Sequence, residues 1–204
     1  MELEKAILTR RSTRKFLDTP VPEDVIVKML EMARLAPSGG NGQTHLFGVI
    51  RDAETRRALA ECAGRQMWIA DAPLVIACCA RLEPDFSSLP EDDFGYAVNR
   101  LRWGRAFCGH LTAYPDWRAP GALLANAAPL IPMEHMFLTA VSYGLSACIV
   151  GWLDVEGASA LLRLPPDVKC LFLLPVGYPA EPPAPIQKKE IAEISFRDGP
   201  PRCD

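Results

Sequence analysis

Leu3, Ala6 and Ile7 give the opening ELEKAILTR one narrow apolar face, so the spacing predicts a short first helix that ends or breaks at RRSTRKF, residues 10 to 16. In PVPED, residues 20 to 24, a proline suits the first turn of a helix and two acids favour its dipole. Val25, Met29, Met32, Ala33 and Ala36 then follow helical spacing as far as Pro37. APSGGNGQT, residues 36 to 44, reads as a loop, because its glycines reach positive φ or bring the backbone close to a ligand.

Residues 46 to 50 read as a strand and 53 to 63 as a helix, while the apolar run 74 to 79 suits a strand buried on both faces. Acids and prolines mark 82 to 93 as a loop, and 94 to 128 reads as two helical pieces around YPDW. Residues 82 to 130 are suited to a lid or a projecting excursion over a pocket. Met133, Met136, Phe137, Ala140 and Val141 share one face of a helix over 132 to 143, which Gly144 stops. ACIVGWL, from residue 147, reads as a strand entering a turn. A helix over 155 to 164 ends at Pro165-Pro166, and 169 to 177 is a last apolar strand before a proline-rich tail. The alternation gives an α/β order, with no internal repeat and one domain expected over 1 to 204.

Charge narrows the classes of function. The formal net charge is -3, which argues against nucleic acid as a partner, since phosphate-backbone binding needs a broad basic face. MELEKAILTRRS has early acids and no apolar core of a secretory signal, and no apolar run is long enough to span a bilayer. The expectation is a cytoplasmic protein without membrane contact. Cys62, Cys78, Cys79, Cys108, Cys148, Cys170 and Cys203 are an odd set without a C-x-x-C pair, which fits reduced thiols, most of them small core residues. His45, His110 and His135 show no metal-ligand spacing, so no metal is expected.

RRSTRKF concentrates four cations and two hydroxyls. In an extended segment alternate residues share a face, so Arg10, Ser12 and Arg14 can present charge-assisted donors and a hydroxyl to a phosphate. Taken alone, the cluster better fits a solvated basic helix end, with Arg14 or Lys15 paired to Glu23 or Asp24.

Three further segments fit the same ligand: APSGGNGQ, GLSACIVGW at 144 to 152, and QKKEIAEI at 187 to 194. With RRSTRKF they resemble the FMN-dependent nitroreductase family in content, order and approximate spacing, over most of the chain apart from residues 82 to 130. The resemblance implies an α+β fold, a central mainly antiparallel sheet flanked by helices, in an intertwined homodimer with FMN at the subunit interface. By this resemblance Arg10 and Ser12 contact the phosphate and ribityl end, Arg11 adjoins them, and Arg14 approaches the pyrimidine edge. Lys188 and Lys189 match basic tail positions that help hold the phosphate. Pro37, Ser38, Gly39 and Asn41 match a loop reaching the flavin from the partner subunit, with Gln43 behind it. Gln66 stands where a polar side chain meets the pyrimidine. Ile149, Val150 and Gly151 match a turn whose amides face the ring near its reactive nitrogen.

The implied activity is ping-pong transfer from NADH or NADPH, through FMN, to a small-molecule acceptor: nitroaromatic, quinone-like or otherwise conjugated. No Ser-His-Asp or paired-carboxylate constellation is required, because the cofactor carries the chemistry. Relatives that dehalogenate, fragment flavin or dehydrogenate rings supply an alternative, and a flavin-binding or sensing module without turnover supplies another. Two departures stand out: Thr44-His45 follow Gln43 where the family commonly has Pro-Trp, and Glu134-His135 stand where an amide is common. Trp103, Trp117 and Trp152 are expected to pack in a core or interface.

Overall fold

The computed structural model describes residues 1–38, 41–81, 127–182 and 186–195. Gly39, Cys108, His110, Cys203, Trp103 and Trp117 lie outside the described residues, as do the expected loop at 82 to 93 and nearly all of the proposed lid. The described elements, in chain order, are α1 (Leu3–Thr9), α2 (Glu23–Arg34), β1 (His45–Ile50), α3 (Ala53–Cys62), α4 (Trp68–Asp71) and β2 (Leu74–Arg81). They continue with α5 (Leu130–Ser142), β3 (Ser146–Ala147), α6 (Val155–Leu161), β4 (Val168–Gly177) and α7 (Ile191–Ile194).

The strands form one sheet in the order β1-β2-β4-β3, and every neighbouring pair is antiparallel. The helix–strand alternation therefore belongs to an α+β fold rather than to a parallel α/β sheet. The apolar run of β2 is explained by layers on both faces. Leu74, Ile76 and Cys78 pack into a cluster with Ile26, Met29, Met133, Met136 and Phe137 from α2 and α5. Val75, Ala77 and Cys79, one residue out of phase, pack with Leu59, Ile69 and Ala158 from the opposite helices. The strand's period of two thus feeds two cores, and neither face is left for polar residues.

β4 shows the same division with one shift of phase. Leu174 and Val176 face the first cluster, and Leu173 faces the second. Val168 and Cys170, of even number, nevertheless face the second cluster. The cause is a bulge: Cys78 pairs with Phe172 but Cys79 with Cys170, so Leu171 is the extra residue. Cys78, Cys79, Cys148 and Cys170 are buried, Cys62 is half-buried, and all five are free thiols, in line with small core residues.

Helix ends aim the chain. α2 stops at Arg34, short of the expected limit, as the residue before Pro37 is pushed out of helical conformation. After α5, Gly144 takes φ +78 and donates to Val141, while Leu145 donates to the Ala140 carbonyl at 3.0 Å. This paired C-terminal closure, with Leu145 itself buried, turns the chain directly into β3. Among the described residues no helix is long and apolar enough to cross a membrane.

Candidate functional site

The basic heptad lies along a sheet edge. α1 ends at Thr9, and the Arg11 guanidinium turns back to donate to the carbonyls of Leu8 and Arg10 at 2.8 and 2.7 Å. The chain then extends: Ser12 bridges Ala147 in parallel, the Thr13 amide donates to the Ala147 carbonyl at 3.0 Å, and Phe16 bridges Pro179. Thr13 points inward and is buried, whereas Ser12 and Arg14 are exposed.

Arg10, Ser12 and Arg14 lie near the buried Cys148, which follows the Ala147 that Ser12 bridges, and the charges of Arg14 and Arg10 favour its thiolate. Burial outweighs them and pushes the Cys148 thiol up, so it stays protonated as the floor of a cationic cradle. Aromatic rings set the two guanidiniums: Arg10 lies 5.1 Å from the Phe137 ring centre and Arg14 5.7 Å from that of Trp68. Glu134, one of the two family departures, stands 3.9 Å from Arg10 Nε with a side chain 44% exposed, a spacing at which an ion pair holds weakly. His135, of the same departure, meets the Met32 carbonyl through Nδ1 at 3.1 Å.

The segment beyond β3 continues that edge. Cys148 donates to the Pro175 carbonyl, and Val150 exchanges two backbone bonds with Leu173 at 2.9 and 3.0 Å. Because alternate residues along such a ladder face the neighbour, the amides of Ile149 and Gly151 face away from β4. A Cβ on Gly151 would lie 3.3 Å from the Phe172 ring, so the protein's own packing already disfavours a larger residue there.

Trp68 connects the heptad to the turn after α3, where Gly64 and Arg65 have φ +68 and +60. Gln66 Nε2 donates to the Ala63 carbonyl at 2.8 Å. A Cβ on Gly64 would lie 2.7 Å from Trp152 Nε1, so only glycine lets the indole rest on this turn. Trp152 is 80% exposed, so of the expected core or interface places it does not occupy a core within this chain. It walls an open cleft of about 570 Å³ with Glu61, Cys62, Gly64, Gly151, Leu153 and Asp154.

The structure brings Arg10, Ser12 and Arg14 together with the 149 to 151 turn, and joins them to the neighbourhood of Gln66. It does not bring the other two segments to them within one chain. The loop holding Pro37, Ser38 and Asn41 closes on itself, with Ser38 accepting from the amides of Asn41 at its carbonyl and of Gln43 at its hydroxyl. Asn41 and Gln43 take φ 52 and 43, as loop chemistry allows. Lys188 and Lys189 are exposed. Of the acids named as possible partners of the heptad, Glu23 pairs instead with Arg51, and Lys15 pairs with Glu181 at 3.0 Å. Thr13, Trp68, Ser146 and Cys148 are contributors that sequence reasoning missed. Only the alternation within RRSTRKF hints at any of them, by turning Thr13 inward.

Known proteins share the sequence and fold of this chain. The model of the nitroreductase family matches residues 7–178. An NADH dehydrogenase of Thermus thermophilus is 31% identical over 195 residues, covering 95% of each chain. An FMN reductase [NAD(P)H] of Bacillus subtilis is 29% identical over 182 residues, covering 88% of this chain and 67% of its own. Among solved structures, NfrA2 of B. megaterium superposes with a TM-score of 0.76 at 25% identity, over 98% of this chain and 75% of that one. A nitroreductase-like protein of Streptococcus mutans shares the fold at a TM-score of 0.79 and 22% identity, over 96% of this chain and 98% of that one. With the family's model spanning most of the sequence, this chain belongs to the nitroreductase family.

Proposed function

We propose that this protein is an FMN-dependent oxidoreductase, working as a homodimer, that passes reducing equivalents from NADH or NADPH to nitroaromatic, quinone-like or other conjugated acceptors. The observation that carries this reading is the common face of Arg10, Ser12 and Arg14, continuous with the outward amides of Ile149 and Gly151.

The residues present fit FMN. Two guanidiniums and a hydroxyl suit a phosphate and the polar ribityl chain, and a cation at the pyrimidine edge favours negative charge on a reduced ring. When bound, FMN supplies the hydride and electron transfer. Arg10 and Ser12 would hold the phosphate end, and Arg14, steadied by Trp68, would hold the pyrimidine edge. The amides of Ile149 and Gly151 would face the ring, with Gln66 near the pyrimidine. Reductant and acceptor would use the same open ring face in turn, which is the physical basis of a ping-pong order.

Exposed apolar side chains support the homodimer. Leu3, Ile7 and Leu8 on α1, and Ile186, Ile191 and Ile194 in the tail, are each more than half exposed. Exposed apolar residues gathered on two elements mark surfaces that another chain covers. In this reading the tail carries Lys188 and Lys189 to the phosphate, and the 37 to 43 loop reaches the flavin of the other subunit.

The test is an anaerobic titration of the purified, FMN-loaded protein. Its yellow absorbance should bleach with NADH or NADPH and return on adding a nitroaromatic or quinone. Protein that cannot be loaded with FMN, or whose bound FMN neither nicotinamide reduces, contradicts the proposal.

A further inference from the structure

The heptad presents its cations correctly only in one register, and a buried pair of hydroxyls stands at the point that sets it. Among the described residues only three polar side chains are buried: Thr13 at 6%, Ser146 at 5% and Ser159 at 5% exposure. Ser159 is accounted for within its own element and the next, donating to Val155 and accepting from the Cys170 amide. Thr13 and Ser146 instead meet each other, Oγ1 to Oγ at 2.6 Å across 133 residues of sequence.

Their proton order follows from counting. Each hydroxyl has one proton. Ser146 donates to the Arg11 carbonyl at 3.2 Å, so Thr13 must donate to Ser146. One serine thereby grips the heptad on both sides of Ser12, at the Arg11 carbonyl before it and the Thr13 hydroxyl after it. The Thr13 amide bond to Ala147 adds a third tie. Ser146 is itself fixed by the α5 closure at Gly144 and by pairing with Gly177.

We propose that Thr13 and Ser146 form a register lock, and that both are positioning residues which keep Arg10, Ser12 and Arg14 on the ligand-facing side. The inference rests on the phosphate reading of the heptad given above. A slip of one residue would set Ser12 against Ser146 but turn Arg10 and Arg14 inward beside it. A slip of two would set Arg11 or Lys15 there. The two-residue slip takes a charge out of water into the buried Thr13 site without a partner, which is costly, and the one-residue slip moves Arg10 and Arg14 off the ligand-facing side. In the observed register the cations that share Thr13's parity are already accommodated, Arg11 on the Leu8 and Arg10 carbonyls and Lys15 on Glu181. A buried hydroxyl pair also penalises misalignment directly, because each partner left alone loses its hydrogen bond in a dry site.

The experiment compares dissociation constants for FMN and for riboflavin, which lacks the phosphate, in wild type, Thr13→Val, Thr13→Ser and Ser146→Ala. Thermal unfolding of each variant checks that it is folded. The lock predicts that Thr13→Val lowers the preference for FMN over riboflavin by about tenfold, that Ser146→Ala lowers it at least as far, and that Thr13→Ser restores it. Ser146→Ala is the more severe because it strands both Thr13 and the Arg11 carbonyl. A Thr13→Val protein that keeps the wild-type preference overturns the lock while leaving the phosphate reading intact. So does one that loses both ligands equally, or one that Thr13→Ser fails to rescue. A wild type that binds riboflavin as tightly as FMN overturns the phosphate reading and the lock together.

Discussion

Two regions of this molecule carry family motifs, yet they differ in how much one chain completes them. At the sheet edge the heptad is bonded to β3, its guanidiniums rest on Phe137 and Trp68, and its floor is the buried Cys148. The 37 to 43 loop and the tail have no such support: the loop bonds to itself, and Ile191 and Ile194 are 77% and 69% exposed. The contrast teaches that the first region is organised by this chain's own core, whereas the second leaves apolar side chains exposed, as the proposed dimer requires. α7 even closes its own N-terminus through a capping box between Glu190 and Glu193, and so is shaped locally without being packed.

The sharpest break between the regions is in stability. Phe137→Ala removes a fully buried ring and the platform under Arg10, and should cost about 3–5 kcal/mol in denaturant unfolding. Ile191→Ala should cost less than about 0.5 kcal/mol in dilute protein, where chains are separate. Equal losses would erase the distinction. The partner surface is probed next by Ile191→Glu combined with Ile194→Glu, which should weaken the dimer about a hundredfold in sedimentation experiments and release FMN with it. An unchanged sedimentation profile would remove the tail from the interface.

Within the heptad, Arg10→Ala should raise the FMN dissociation constant about 10- to 100-fold, as expected for loss of a charge-assisted bond. Lys15→Ala, which breaks only an exposed pair with Glu181, should change it less than about twofold. Identical effects would mean the heptad acts as diffuse charge. Gly151→Val should cost about tenfold in FMN affinity, since its side chain crowds Phe172 and projects at the turn. Normal binding and reduction in that variant would misplace the ring.

The smallest effect concerns His45, at the junction of the loop and β1. Burial holds its imidazole below the ordinary 6.5, and Nδ1 has no partner among the described residues. The unfolded chain therefore binds its proton first, so the contribution to stability is full above pH 6.5 and falls as pH drops below it. His45→Phe should flatten that decline in thermal melts, by less than about 1 kcal/mol.

Much of this was readable from residue pattern. The apolar run of β2 announced burial on both faces, and the helix at 132 to 143 with its Gly144 stop was found to within two residues at its start and one at its end. The same run also suggested an α/β order, because periodicity reports how many faces are covered and not the direction of the neighbouring strand. Antiparallel pairing came from the family resemblance alone. The bulge at Leu171 was invisible because both phases of β4 are apolar. In the site, charge and glycine mark Arg10, Arg14 and Gly151 locally, and their motif order did the rest. Thr13 with Ser146 was hidden for the opposite reason: a hydroxyl pair separated by 133 residues has no local signature. Trp152 was expected in a core or an interface, and the shelf at Gly64 on which it sits, set by a positive φ, has no signature in the sequence around the tryptophan.

The central claim is that one chain supplies half of each flavin site. Native mass spectrometry of the FMN-loaded protein tests this directly. The account predicts a species of two chains with two FMN molecules, and single chains that carry none. A single chain holding FMN by itself would contradict it.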